Sequence, residues 1–189
     1  MMYIIFSLMV VIICEALLMG WYKYRSEHDL FTGLYNKDWL LGQSHRYTNR
    51  LIRWMQRTKQ TGAPFGMMFI DLDGFKGYND TKGHQQGDDL LKTIASILKD
   101  VERRYIGVRS VRFGGDEMIV LMRETLYFID VAQEISQRID GETEVTASIG
   151  AAFFTNRCPV NQQVFMDKVD GAMYRVKQNG KNGISIAGV

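Results

Sequence analysis

Residues 114–117 read Gly-Gly-Asp-Glu, with short apolar runs on either side, Val111 to Phe113 and Met118 to Met122. The pattern predicts a tight β-hairpin with two carboxylates at its tip, the glycines supplying positive φ and room for close approach to the backbone. Adjacent acids at a turn are poor folding material, because like charges crowd one another and resist burial. They become useful when a divalent cation lies between them. Taken alone, such a string reads first as an exposed hairpin with a charged tip.

A second group gives the hairpin chemistry to do. Asp71 and Asp73 end an apolar run and open a loop that carries Lys76, Asn79, His84 and Asp88. Asp71, with Asp116 or Glu117, can hold two divalent ions, and all-oxygen ligation suits Mg2+ or Mn2+ better than zinc. Two ions about 3.5–4 Å apart stabilise the attacking and leaving oxygens of an in-line displacement at phosphorus. Lys76 is suited to neutralising phosphate charge. Asn79 and Asp88 match the donor–acceptor edge of a purine, the carboxylate fitting guanine N1–H and N2–H2. His84 has no second ligand at metal spacing and reads as a loop or packing residue.

The elements that must position these groups follow from periodicity. Trp39 to Gln60 has helical spacing, with Leu40, Tyr47, Leu51 and Met55 on one side and Arg46, Arg50, Arg53 and Arg57 on another. The arginine stripe reads first as a solvated helix face, and its functional alternative is contact with anionic lipid. Gly62-Ala63-Pro64 breaks that helix. Phe65 to Leu72 is apolar throughout, as a central strand covered on both faces would be. A loop, a helix over 88–101, the hairpin, a helix over 126–139, a strand over 144–154, a helix over 162–178 and a strand over 184–186 complete the chain. The order β-α-β-β-α-β-α-β predicts an α/β (α+β) sandwich, a mixed sheet with helices packed against it and the two acidic sites on neighbouring central strands.

The chain has 189 residues, room for one domain and a short appendage. A net charge of +2 makes no case for a nucleic-acid partner. Cys14 and Cys158 form neither a disulfide framework nor a zinc spacing. Met2 to Tyr22 is almost wholly apolar, broken by Ser7 and Glu15 and followed by Lys23 and Arg25. About 20 such residues span a bilayer, and the basic flank puts the following domain in the cytoplasm. A signal peptide would carry its positive charge before the run and a small-residue cleavage site after it. Ala16 and Gly20 give a small-xxx-small pair suited to helix pairing. The expected organisation is a transmembrane anchor over 1–22, a connector over 23–37 with no room for a sensory domain, and a catalytic domain over 38–189.

From Asp29 to Ile186 the sequence resembles the GGDEF family of diguanylate cyclases. The resemblance rests on Asp29-Leu30-Phe31-Thr32-Gly33-Leu34-Tyr35-Asn36-Lys37, the 71–88 block, Arg112 to Met118, Thr146 to Gly150, and Ala172 to Asn182. It implies a palm-like (ferredoxin-like) domain that condenses two GTP into cyclic di-GMP and pyrophosphate across a homodimer. Joined to the apolar N-terminal run, the expected setting is a single-pass anchor in a bacterial cytoplasmic (inner) membrane. By position, the resemblance makes Asp71, the Leu72 carbonyl, Asp116 and Glu117 the ligands of two Mg2+ (or Mn2+) per active site. It makes Asp116 the base as well. Asn79 and Asp88 would read guanine, Lys76, Lys177 and Lys181 would hold phosphates, and Gly114 and Gly115 would let the nucleotide lie against the backbone. A catalytically degenerate GTP-binding or interaction module is the rival reading, and a synthase of another cyclic dinucleotide is a third.

Three positions depart from the family pattern. Met118 stands where Phe is usual, in a strand position suited to packing. Lys37 and Lys181 stand where Arg is usual, keeping charge but losing a bidentate fork. Tyr105 and Val108 occupy the Arg and Asp positions of the Arg-x-x-Asp motif that product-inhibited members carry. The sequence therefore predicts little or no feedback through that site. A rate of GTP condensation that is unaltered by added cyclic di-GMP is the expected result, and strong inhibition would contradict it.

Overall fold

The computed structural model describes residues 2–42, 49–123, 125–157 and 161–188, so Arg46, Tyr47 and Cys158 lie outside the described residues. In chain order the elements are α1 (Met2–Glu27), β1 (Tyr35–Asn36), α2 (Lys37–Leu41), α3 (Arg50–Thr61), β2 (Phe65–Asp73), α4 (Phe75–Lys82), α5 (His84–Arg104), β3 (Val108–Gly114), β4 (Glu117–Met122), α6 (Phe128–Glu142), β5 (Thr146–Phe154), α7 (Gln162–Gln178) and β6 (Gly183–Ala187). Among the described residues the strands form one mixed sheet in the order β1-β3-β4-β2-β5-β6.

β2 lies between two antiparallel neighbours, β4 and β5. Side chains alternate across a strand, so a central strand must be apolar at both parities. Met68, Ile70 and Leu72 join the core under α5 and α6, while Phe65, Met67 and Phe69 join the core under α2, α3 and α7. Asp71 and Asp73 share the parity of Phe69, and Glu117 shares that of Ile119 and Leu121. All three acids therefore belong to the face that α7 covers.

Several elements differ from the sequence reading. The helix expected over 39–60 is two helices, α2 and α3, each started by an asparagine cap, Asn36 and Asn49. The stretch read as a connector is folded: residues 23–27 continue α1, and Tyr35–Asn36 pair in parallel with Val111 and Arg112. The loop after β2 holds an eight-residue helix, α4, in which no residue is fully buried. Its Gly77 and run of polar residues hide the helical period. α1 carries exposed Phe6, Leu8, Leu17, Leu18 and Met19, and Phe6–Glu27 is long and apolar enough to cross a membrane.

α7 sits unusually close to the sheet. A Cβ on Gly150 of β5 would lie 2.2 Å from the Val169 carbonyl oxygen and 2.3 Å from the Met173 nitrogen. Backbone atoms cannot step aside as a flexible side chain can. Gly150→Ala is expected to destabilise the domain by about 2–3 kcal/mol, read from the denaturant midpoint. Gly141→Ala, with nothing within 4 Å, is expected to be neutral or stabilising.

Candidate active site

The site is built at one end of the central strands. The register sets Asp71 directly opposite Glu117, and Asp71 opposite Ser148 on the other side. β3 and β4 form the hairpin, with a register shift between Arg112 and Gly114. Neither Gly114 nor Gly115 has a positive φ, contrary to the sequence reading, because the shift lets the chain turn without it. Their value here is space: a Cβ on Gly114 would lie 3.0 Å from Glu117 Oε2, and Gly115 has nothing within 4 Å.

Arg112 buttresses this turn. Its Nε and Nη2 donate to the Gly115 carbonyl at 3.3 and 3.0 Å, and its Nη1 donates to Asp29 Oδ1 at 3.2 Å. Asp29 Oδ1 also accepts from the Thr32 amide at 2.8 Å and the Thr32 hydroxyl at 2.6 Å. Burial alone would raise the Asp29 carboxyl, but the Thr32 hydrogen bonds and the Arg112 charge outweigh it and leave the pKa lowered. Sequence reasoning took 29–37 as recognition residues only. The structure makes them the support of the hairpin.

The carboxylates crowd one another. Burial holds the Glu117 carboxyl above its ordinary range, and the charges of Asp71, Asp116 and Asp170 add to that. Asp71 is raised by burial and by Asp116 and Asp73, against the opposing pull of Lys177. Lys177 Nζ lies 2.7 Å from Asp71 Oδ2. The lysine expected at phosphate thus pairs with the acid expected at metal. Among the described residues no three acids converge into a ready-made ligand set. The donor chemistry still fits a hard divalent cation: all-oxygen, partly buried and with more negative charge than Lys177 balances.

Asp73 is a residue that sequence reasoning left without a role. It accepts from the Thr146 and Ser148 hydroxyls, each at 2.7 Å, and from the Asn182 amide at 3.0 Å. That last bond anchors a left-handed turn, Gly180 at φ 104°, Lys181 at 67° and Asn182 at 44°. Two consecutive non-glycine residues in this region cost about 1–3 kcal/mol each, so the turn persists only because it is held. It carries Lys181, which with Arg175, Asn179 and Ser185 lines an open cavity of about 400 Å3.

The purine-reading candidates belong to the other layer. Asn79 is on α4, while Asp88 is exposed on α5. Asn79 Oδ1 is buried with no hydrogen-bond partner. A Cβ on Gly87 would lie 1.7 Å from it, so Gly87 is what admits the Asn79 side chain. An orphaned amide oxygen is costly unless a ligand or water completes it. Lys76 is exposed on α4 and His84 on α5, and Leu72 is buried in the core. Met118 is fully buried against that core, a packing position as expected. Tyr105 donates to Glu134 Oε2 at 3.0 Å and Val108 is fully buried.

With this geometry described, comparison with known proteins is direct. Residues 26–183 match the family described as "Diguanylate cyclase, GGDEF domain". The chain belongs to the GGDEF family. It is 32% identical over 165 residues to the bifunctional diguanylate cyclase/cyclic di-GMP phosphodiesterase MucR of Pseudomonas aeruginosa, covering 82% of this chain and 23% of MucR. Its fold matches the coiled coil and GGDEF domain of DgcB from Caulobacter crescentus, solved in complex with c-di-GMP. That match has a TM-score of 0.81 at 22% identity over 96% of each chain. Diguanylate cyclase SiaD of Pseudomonas aeruginosa, solved with its activator SiaC, gives 0.76 at 27% identity, covering 96% of this chain and 69% of SiaD. Among curated relatives the chain spans a minor part of their length, from 23% of MucR to 47% of a Bacillus subtilis protein. The domain is thus of the diguanylate cyclase type, in fold and in family.

The raised carboxyl of Glu117 has a consequence for stability. A raised folded-state pKa contributes stability that is complete in acid and lost as pH rises through the folded pKa. In metal-free buffer, Glu117→Gln is expected to melt higher than wild type at neutral pH. The gap should close as pH falls and the wild-type carboxyl protonates. Equal melting temperatures at neutral pH would show that Glu117 carries no such burden.

Proposed function

We propose that the chain is a membrane-anchored diguanylate cyclase, in which two domains face one another and condense two GTP into cyclic di-GMP and two pyrophosphates. The observation that carries this reading is the pairing of Asp71 and Glu117 across one rung of the sheet, with Asp116 at the adjoining turn. Metal-ligating acids and glycines are what a degenerate module loses, and this chain retains Asp71, Gly114, Gly115, Asp116 and Glu117. α1 supports the anchor, and an anchor that pairs would raise the effective concentration of the two half-sites.

Asp71, Asp116, Glu117 and the Leu72 carbonyl would hold two Mg2+ or Mn2+ ions. Bound there, they would supply charge neutralisation at the phosphate oxygens and at the attacking and leaving oxygens. Asp116 takes the proton from the 3′-hydroxyl of one GTP as that oxygen attacks the α-phosphorus of the other, and pyrophosphate leaves. A second transfer in the reverse sense closes the ring. Lys177 turns from Asp71 to phosphate when nucleotide enters, and Lys181 and Lys76 take further phosphate charge. Asp88 accepts from guanine N1–H and N2–H2 while Asn79, seated against Gly87, completes the base edge.

The test is incubation of the purified full chain with Mg2+ and GTP, then with ATP. Cyclic di-GMP from GTP alone is expected. Asp116→Ala should lower the rate by about 100- to 1000-fold with an unchanged circular dichroism spectrum, the scale of several kcal/mol of transition-state stabilisation. GTP bound without any cyclic product would favour a binding module. An adenine-containing product would overturn the guanine assignment.

A further inference from the structure

At the opposite end of β2 and β4 from the acids lies a second constellation, entirely basic. Arg123 directly follows β4, which starts at Glu117, so it stands about 20 Å from the candidate active site. The Arg123 amide donates to the Gly107 carbonyl at 3.3 Å, and its guanidinium lies 4.7 Å from the centre of the Trp54 ring. Arg123, Arg57 and Trp54 line a cleft of about 50 Å3 whose remaining wall is Thr58, Ala63, Pro64 and Phe65.

Charge in this cleft is unbalanced. Among the described residues neither Arg57 nor Arg123 has a carboxylate within 4 Å, whereas Arg50 pairs with Glu27 at 3.7 Å. Burial, then the like charges of Arg57, Arg109 and Arg50, hold the Arg123 guanidinium below its ordinary pKa. Arg123 and the neighbouring arginines repel one another, and an anion bound between Arg57 and Arg123 relieves that repulsion. Two planar forks lining one cleft, the Arg123 fork set on the Trp54 ring, suit a tetrahedral oxyanion. A cleft this small takes a single phosphate group, since whole-ligand pockets run to several hundred cubic ångströms.

We propose that the cleft between Arg57 and Arg123 is a binding site for a phosphate-bearing anion, separate from the nucleotide site. Arg57 and Arg123 grip the phosphate oxygens, Trp54 fixes the Arg123 fork, and Arg50 and Arg109 supply long-range attraction. The phosphate can belong to a free ion or to a phospholipid headgroup, and the two sources are distinguished by the form in which it is offered.

Amide hydrogen exchange at residues 54–65 and 121–123 reads occupancy in the full chain. In one arm the detergent-solubilised protein is titrated with inorganic phosphate at constant ionic strength. In the other it is reconstituted in phosphatidylcholine vesicles with and without phosphatidylglycerol. Saturable protection by phosphate, weakened about ten-fold or more in Arg57→Gln and Arg123→Gln and unaltered in Arg53→Gln, establishes the site for a free anion. Protection that needs phosphatidylglycerol and is lost in the same two variants establishes it for a headgroup. If Arg123→Gln does not fold, Arg123→Lys, which keeps the charge and loses the fork, should show intermediate weakening beside Arg57→Gln. No protection in either arm, or protection indifferent to both arginines, overturns the proposal.

Discussion

Like charge held at one rung of a sheet is the constraint around which this domain is organised. Asp71 and Glu117 face each other across β2 and β4, and each carboxyl is raised by burial and by its neighbours. Such an arrangement opposes folding, so it stands only because the strands that carry it are secured elsewhere. Both faces of β2 are packed, and the apolar burial of a central strand outweighs repulsion at its end. The same arrangement is what a pair of divalent cations and a triphosphate would relieve.

α7 connects that electrostatic problem to the packing. Its backbone lies against Gly150, which brings Lys177 to Asp71. The helix then hands the chain to a left-handed turn that Asp73 holds through the Asn182 amide. Alternate residues of β2 thus divide the work. Asp71 faces the hairpin acids, and Asp73, two residues on, supports the turn that carries Lys181. Lys177 is a counter-charge already in place beside Asp71, so the buried carboxylate is not left unpaired.

The support extends to the N-terminal helix. Rings of Tyr24, His28, Tyr35 and Trp39 succeed one another at centroid spacings of 4.0, 4.4 and 4.0 Å. Tyr24 is in α1, Tyr35 in β1 and Trp39 in α2, so the stack joins the apolar helix to the edge of the sheet. β1 pairs with β3 at Arg112, the residue that bridges Asp29 to Gly115. Contiguous contacts thus link α1 to the hairpin.

The sequence by itself determined the elements whose signal is local. Continuous apolarity marked β2 as central, Gly62 and Pro64 ended a helix, and the 3.6-residue period delimited α7 at its observed ends, Gln162 and Gln178. The candidate acids were legible as residue types at turn positions. What only the tertiary structure decided were properties of pairs distant in sequence. α4 is helical although it fully buries nothing, because it docks on α5, where Gly87 admits Asn79. β1 is too short to have a period and exists because β3 offers it an edge. Gly114 and Gly115 need no positive φ because a register shift does the turning. The Asp71–Lys177 pair and the triple acceptor Asp73 arise from strand register and helix approach. Periodicity reports how one segment meets solvent and core. Which charge meets which is set by the packing of whole elements, and no single segment encodes it.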